Sequence, residues 1–134
     1  MIKGIYGINI AVSNYKEGLK RFEEVLNVKP VHFNDNDFAF PNLEGARFFL
    51  GNVALSPIGT KSENTSISKF LNKRGDGVFL ISILVDDIEK DVEDMKSKGI
   101  QFVMDIKEVP LGRVTFTHPK SFFGIQFEIL QLKE

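Results

Sequence analysis

The sequence predicts an α+β fold: two βαβββ modules forming a curved mixed sheet around a cleft. Three observations carry that reading. Residues 5–12 alternate, with Ile8, Ile10 and Val12 against Gly7, Asn9 and Ala11, as a half-buried strand does,. A cap and an amphipathic helix follow at once. The same strand, cap and helix return 73 residues later, so that Val12 falls on Val85, Ser13-Asn14 on Asp86-Asp87, Leu19 on Val92 and Phe22 on Met95,.

Taken in order, Asn14 caps the first helix, with Glu17 at the capping-box position and Leu19, Phe22, Val25 and Leu26 as its inner stripe,. Asn27 and Pro30 close it. Short strands are expected at 31–33 and 38–40, around the turn-forming Asn34, Asp35, Asn36 and Asp37. That cluster lacks the following ligand series of a calcium loop. A tight hairpin is expected from 46–50 and 53–55 across Gly51-Asn52, then a loop at 57–64. Ile67, Phe70 and Leu71 mark a short helix ended by Gly75. Residues 78–85 are nearly all apolar and read as a central strand. Val92 and Met95 face inward from the next helix, which Gly99 stops. Residues 100–104 are expected to be a strand. A hairpin over 112–130 ends the fold,. If Thr117 pairs with Gly124, Arg113 falls opposite Glu128. Module one is then 1–57, the connector 58–76 and module two 77–134, in a single domain. Ile8, Ile10, Phe127 and Ile129 are expected under helices, and Asn9, Ser82, Arg113, Thr115, Gln126 and Glu128 are expected to line the cleft.

Composition bounds the function. The chain has 134 residues, 43% hydrophobic, with a formal net charge of −1 and no basic patch, so no nucleic-acid partner is expected,. Cysteine is absent, which excludes disulfides, thiolate metal sites and cysteine nucleophiles,. No apolar run reaches the roughly 20 residues that span a membrane, and the first twelve residues read as a strand rather than a signal peptide. A cytoplasmic protein is the expectation.

Three stretches resemble the vicinal oxygen chelate superfamily of glyoxalases, bleomycin-resistance proteins and dioxygenases, closest to methylmalonyl-CoA epimerase. They are GINIAVSNYKEGLKRFEEVLNVKP, SISKFLNKRGDGVFLISILVDDIEKDVEDMKSKGI and THPKSFFGIQFEIL. The connector at residues 69–77 and the HPKS turn at 118–121 are the more specific pieces. The resemblance implies a glyoxalase-like fold, a homodimer on which the sequence itself is silent, and four metal ligands on four strands. Those four positions fall on Gly7, Val53, Leu80 and Glu128. Only Glu128 retains a ligating side chain, and neither His32 nor His118 lies at a ligand position. No cofactor and no divalent metal are therefore expected, because such metals need several imidazole or carboxylate ligands.

Glu128 reads either as a general base or remnant ligand, or as a carboxylate neutralised by Arg113 across the hairpin. Arg113 reads as the other half of that pair or as a bidentate grip on a ligand's carboxylate or phosphate. Asn9, Ser82, Thr115 and Gln126 are candidate ligand-orienting groups. By resemblance alone, Glu44 lies where the epimerases carry a second catalytic carboxylate, and Lys69, Lys73 and Arg74 could meet an acyl-CoA's phosphates. Three functions stand open. The first is a small-molecule binding protein without the family's metal, taking a polar ligand or acyl-CoA. The second is an epimerase, isomerase or lyase acting on an acyl-CoA or other small carbonyl substrate, with Glu128 and Glu44 as catalytic carboxylates. The third is an inert or partner-binding module.

Overall fold

The computed structural model describes residues 1–134. The elements are β1 (Ile2–Ala11), α1 (Tyr15–Leu26), β2 (Val31–His32), β3 (Leu43–Leu50), β4 (Val53–Thr60), α2 (Ser66–Arg74), β5 (Gly77–Val85), α3 (Ile88–Ser97), β6 (Lys107–Val109), β7 (Gly112–Phe116) and β8 (Phe127–Leu132). None of the helices is long and apolar enough to cross a membrane.

The chain divides into two units, Gly7–Phe79 and a second made of Met1–Tyr6 with Leu80–Glu134. Both carry the predicted repeat in space. In the first, strands lie in the order β2-β3-β4-β1, with β1 parallel to β4 and β3 antiparallel to it. In the second the order is β6-β7-β8-β5, with β5 parallel to β8 and β7 antiparallel to it. The helix caps repeat too. Asn14 Oδ1 accepts the Glu17 N–H at 3.1 Å, and Asp87 Oδ1 accepts the Lys90 N–H at 3.2 Å,.

The units do not coincide with the sequence modules. The first six residues join the second unit because the Met1 ammonium bonds Asp86 and Asp91 at 2.7 Å each, and Met1 O accepts the Asp86 N–H. The connector joins the first unit. Ile67 of α2 is 1% exposed and packs with Ala11, Leu43 and Ile58, while Asp76 accepts bonds from Ser13.

In the first unit α1 lies on one face of the sheet. Phe22 meets Phe48 with ring centroids 5.6 Å apart, and Gly18 leaves room for Val12. Val25 is 62% exposed and drops out of the expected inner stripe. The opposite face is covered at its Ala11–Ile58 end by α2, Phe33, Phe38, Phe70 and Phe79. In the second unit Val85, Ile88, Val92 and Ile129 form the core under α3, with Phe127 and Met95 against it. Burying a side chain such as Ile129, 1% exposed, is worth about 1.5–3 kcal/mol,.

Four local expectations are corrected. Residues 38–40 are not a strand: Asp35–Asp37 forms a 3₁₀ turn, its Asp37 carboxylate accepts the Asn34 N–H, and Phe38 stacks on Phe33 at 4.5 Å. The loop expected from residue 57 starts later, since β4 continues to Thr60 with Pro57 paired to Ile10. Residues 100–104 form only a bridge, Phe102 to Thr117, and the edge strand is β6 instead.

The fourth correction concerns the closing hairpin. Arg113 pairs with Gln131, Thr115 with Ile129 and Phe116 with Glu128, so the expected register is slipped by three residues. The turn is longer than expected. Pro119–Ser121 forms a 3₁₀ turn, Phe123 and Gly124 take φ of 56° and 82°, and Thr117 N–H reaches Phe127 O. A slip by an odd number reverses the faces of one strand against the other. Val114 and Phe116 therefore share the Glu128 face, and Arg113 and Thr115 lie on the α3 face.

Candidate functional site

Ser82 and Glu128 stand side by side on β5 and β8. Ser82 Oγ donates to Glu128 Oε1 at 2.7 Å. Ser82 is 3% exposed and is the one polar residue of β5, whose neighbours GVFLISILV fix it in a buried strand. Around the pair, on the same face, are Leu80 (3% exposed), Val114 (3%), Phe116 (6%) and Leu130 (0%). A hydrogen bond to a carboxylate in such a setting contributes about 1.5–3 kcal/mol. The arrangement holds one acceptor oxygen in a fixed direction within an apolar wall, which suits a polar group of a ligand or a proton-accepting role.

Arg113 does not meet Glu128, correcting the expected cross-hairpin pair. Its guanidinium donates to Glu89 Oε1 of α3 at 2.5 Å. Thr115, 1% exposed, donates to Met104 O at 2.8 Å. The Gln126 side is represented by its carbonyl, which accepts the Ile81 N–H at 3.2 Å. Sequence reasoning passed over Gln131. Its Oε1 accepts the Ile88 N–H at 2.9 Å and so serves the N-terminus of α3,. The signal was available in the alternation of Ile129 and Gln131 on one face of the closing strand.

In the first unit Asn9 is paired with Ser56, which is 2% exposed, in the position that Ser82 and Glu128 hold in the second. Register thus makes Ser56 the counterpart of Glu128. It replaces Val53, which is three residues away and on the other face. Glu44 is paired with Gly59, also on the face opposite Asn9, and lies against Tyr15. The structure does not bring Asn9 and Glu44 together. Burial, and secondarily the Glu44 carboxylate, pushes the Tyr15 phenol up to about 12,. The Tyr15 hydroxyl finds no hydrogen-bond partner in the protein. Of the basic connector residues, Lys69 and Lys73 are exposed, and the Arg74 guanidinium stands 5.8 Å from the Phe70 ring centre.

The residues at the four family ligand positions do not fit a divalent metal. Gly7 has no side chain, and a Cβ there would stand 2.7 Å from the Ala54 carbonyl oxygen. Leu80 is a buried hydrocarbon and Ser56 offers only a neutral hydroxyl. Glu128 is the single carboxylate, and Ser82 is bonded to it.

The model of the Glyoxalase/Bleomycin resistance protein/Dioxygenase superfamily matches residues 4–129, and the chain belongs to that superfamily. Among solved structures it is similar to methylmalonyl-CoA epimerase from Mycobacterium tuberculosis, with 22% identity, a TM-score of 0.86, and coverage of 99% of this chain and 90% of that one. It is similar to a hypothetical protein from Bacillus halodurans C-125, with 28% identity, a TM-score of 0.86, and coverage of 97% and 94%. A Streptomyces coelicolor methylmalonyl-CoA epimerase variant in complex with 2-nitronate-propionyl-CoA matches with 22% identity, a TM-score of 0.87, and coverage of 100% of both chains. No curated protein matches the sequence significantly. The fold is therefore the glyoxalase-like α+β fold.

Proposed function

We propose that this protein binds a small molecule on the glyoxalase-like scaffold without the family's metal. The ligand contacts the face that carries Ser82 and Glu128. The observation that carries the reading is the Ser82–Glu128 bond: the one retained ligand-position carboxylate is engaged by a neighbouring hydroxyl, within an apolar wall. The missing donors at Gly7 and Leu80 support it. The class of ligand is an acyl-CoA or a comparable small carbonyl compound, in keeping with the 2-nitronate-propionyl-CoA bound by a structural relative. Ser82, Glu128 and Gln126 of the second unit are the proposed ligand-binding groups. The setting is cytoplasmic and the assembly a homodimer.

The second reading is an isomerase or lyase related to the epimerases, favoured by the retained Glu128 as general base. Removing a proton beside a thioester carbonyl places charge on that oxygen, which preorganised donors must stabilise. Glu44 is an unsuitable partner in that role, because it lies on the α1 face beside Tyr15.

One experiment separates the readings. Protein stripped with EDTA is titrated with propionyl-CoA by calorimetry and incubated with methylmalonyl-CoA in heavy water. Saturable binding without α-proton exchange is the expected result. Exchange above background that Glu128→Gln abolishes establishes the enzyme reading instead. Neither binding nor exchange leaves the inert module.

A further inference from the structure

On the helix side of the second unit, a cavity of about 290 Å³ opens between α3 and the segment 102–106. Its apolar lining is Val92, a buried core residue of α3, with Phe102 and Ile106, which are partly buried and pack against that core. Arg113 enters from β7 and Lys96 from the last turn of α3, while Glu89 and Asp105 stand at the edge. Thr115 closes the back, its hydroxyl held by Met104 O. Arg113 and Thr115 of β7 pair with Gln131 and Ile129 and so lie on the face of the sheet opposite Ser82 and Glu128, and this recess is separate from the site above.

Arg113 and Lys96 stand against Glu89, Asp105 and Glu108, the last directly opposite Arg113 on β6, and these charges differ in depth. The Arg113 side chain is 34% exposed, and its partner Glu89 is 69% exposed. Asp105 and Lys96 are also exposed. Water screens the outer charges most, so the guanidinium is the least screened charge beside the apolar floor,. The exposed Glu89 orients that guanidinium without binding it strongly, since such pairs contribute at most about 1 kcal/mol. A carboxylate arriving over the floor meets a planar donor fork already aimed and partly dehydrated.

We propose that this recess is a second binding site, for small amphipathic carboxylates. The apolar body lies on Val92, Phe102 and Ile106, and the carboxylate takes Arg113 from Glu89. The volume is at the lower end of the roughly 300–1,000 Å³ of small-molecule pockets. That suits a single-ring or short-chain acid,.

The test uses benzoate as probe and benzamide as its uncharged control, on protein with ¹³C-labelled Ile, Leu and Val methyls. Benzoate is expected to shift the Val92 and Ile106 methyls saturably, at least five-fold more tightly than benzamide. Arg113→Met is expected to remove that difference. Glu89→Gln is expected to tighten benzoate binding several-fold by removing the competing carboxylate, a gain that a misfolded protein cannot imitate. Equal affinity for the two probes overturns the proposal. So does the absence of saturation by about 10 mM. Shifts confined to the Leu80 and Leu130 methyls also overturn it, because those residues report the Glu128 face.

Discussion

Ser82 donates to Glu128 from one strand to its parallel neighbour at 2.7 Å, and Asn9 and Ser56 occupy the matching pair of positions in the other half. One carboxylate thus remains where the duplicated scaffold offers two equivalent places. Ser82→Ala deletes the donor inside an apolar surround. It is expected to lower unfolding stability by about 1–3 kcal/mol, read as a lower urea midpoint at unchanged m-value. A midpoint equal to the wild type's would show that Glu128 draws no stability from this hydroxyl.

Gly7→His restores the imidazole that the family pattern carries at this position. It is expected to destabilise the protein by about 1–3 kcal/mol, because the new Cβ meets the Ala54 carbonyl at 2.7 Å and the strands must move apart,. Zinc binding by calorimetry is expected to stay at the wild-type level, since one added imidazole does not supply a divalent donor set. A stable variant with new stoichiometric zinc binding would contradict both statements.

Most of the fold was legible because it rests on local rules repeated twice. Asn14 and Asp87 cap helices at equivalent places, the alternation at Ile8 and Ile10 marks a one-sided strand, and Gly51 takes the φ of 64° that the β3–β4 turn needs. What was not legible depended on turn length. The 3₁₀ turn at Pro119–Ser121 and the left-handed Phe123 lengthen the closing hairpin, and a slip of three residues moved Arg113 and Thr115 to the other face. Single-strand alternation groups residues on a face but does not say which face of the partner they join. The same limit applies to Glu44, whose side chain ends beside Tyr15, and to Val53, displaced by Ser56.

The two N-caps offer a direct check of the repeat. Asn14→Ala and Asp87→Ala each remove the acceptor for one first-turn N–H, so each is expected to cost about 1 kcal/mol,. The Asp87 charge also complements the positive end of the α3 dipole, so Asp87→Asn should retain part of the stability that Asp87→Ala loses, and less of it at low salt. Urea denaturation of the variants measures both, and a cost at one cap but not the other would break the equivalence.

Tyr15 gives the pH prediction. Its phenol is raised to about 12 by burial first and by Glu44 second, against about 10 in an unfolded chain,. The fold therefore favours the neutral phenol. This contribution is complete below pH 10 and is lost as the pH rises towards 12. Absorbance at 295 nm should show a phenolate appearing with a midpoint near 12 that Tyr15→Phe eliminates. Because the hydroxyl has no hydrogen-bond partner in the protein, that substitution should leave neutral-pH stability unchanged or slightly raised, and should flatten its decline between pH 10 and 12,. Glu44→Gln should move the midpoint down only part of the way, since burial is the larger cause. A full return to about 10 in Glu44→Gln would reverse that order and make the carboxylate, not the packing around the ring, the reason this phenol resists ionisation.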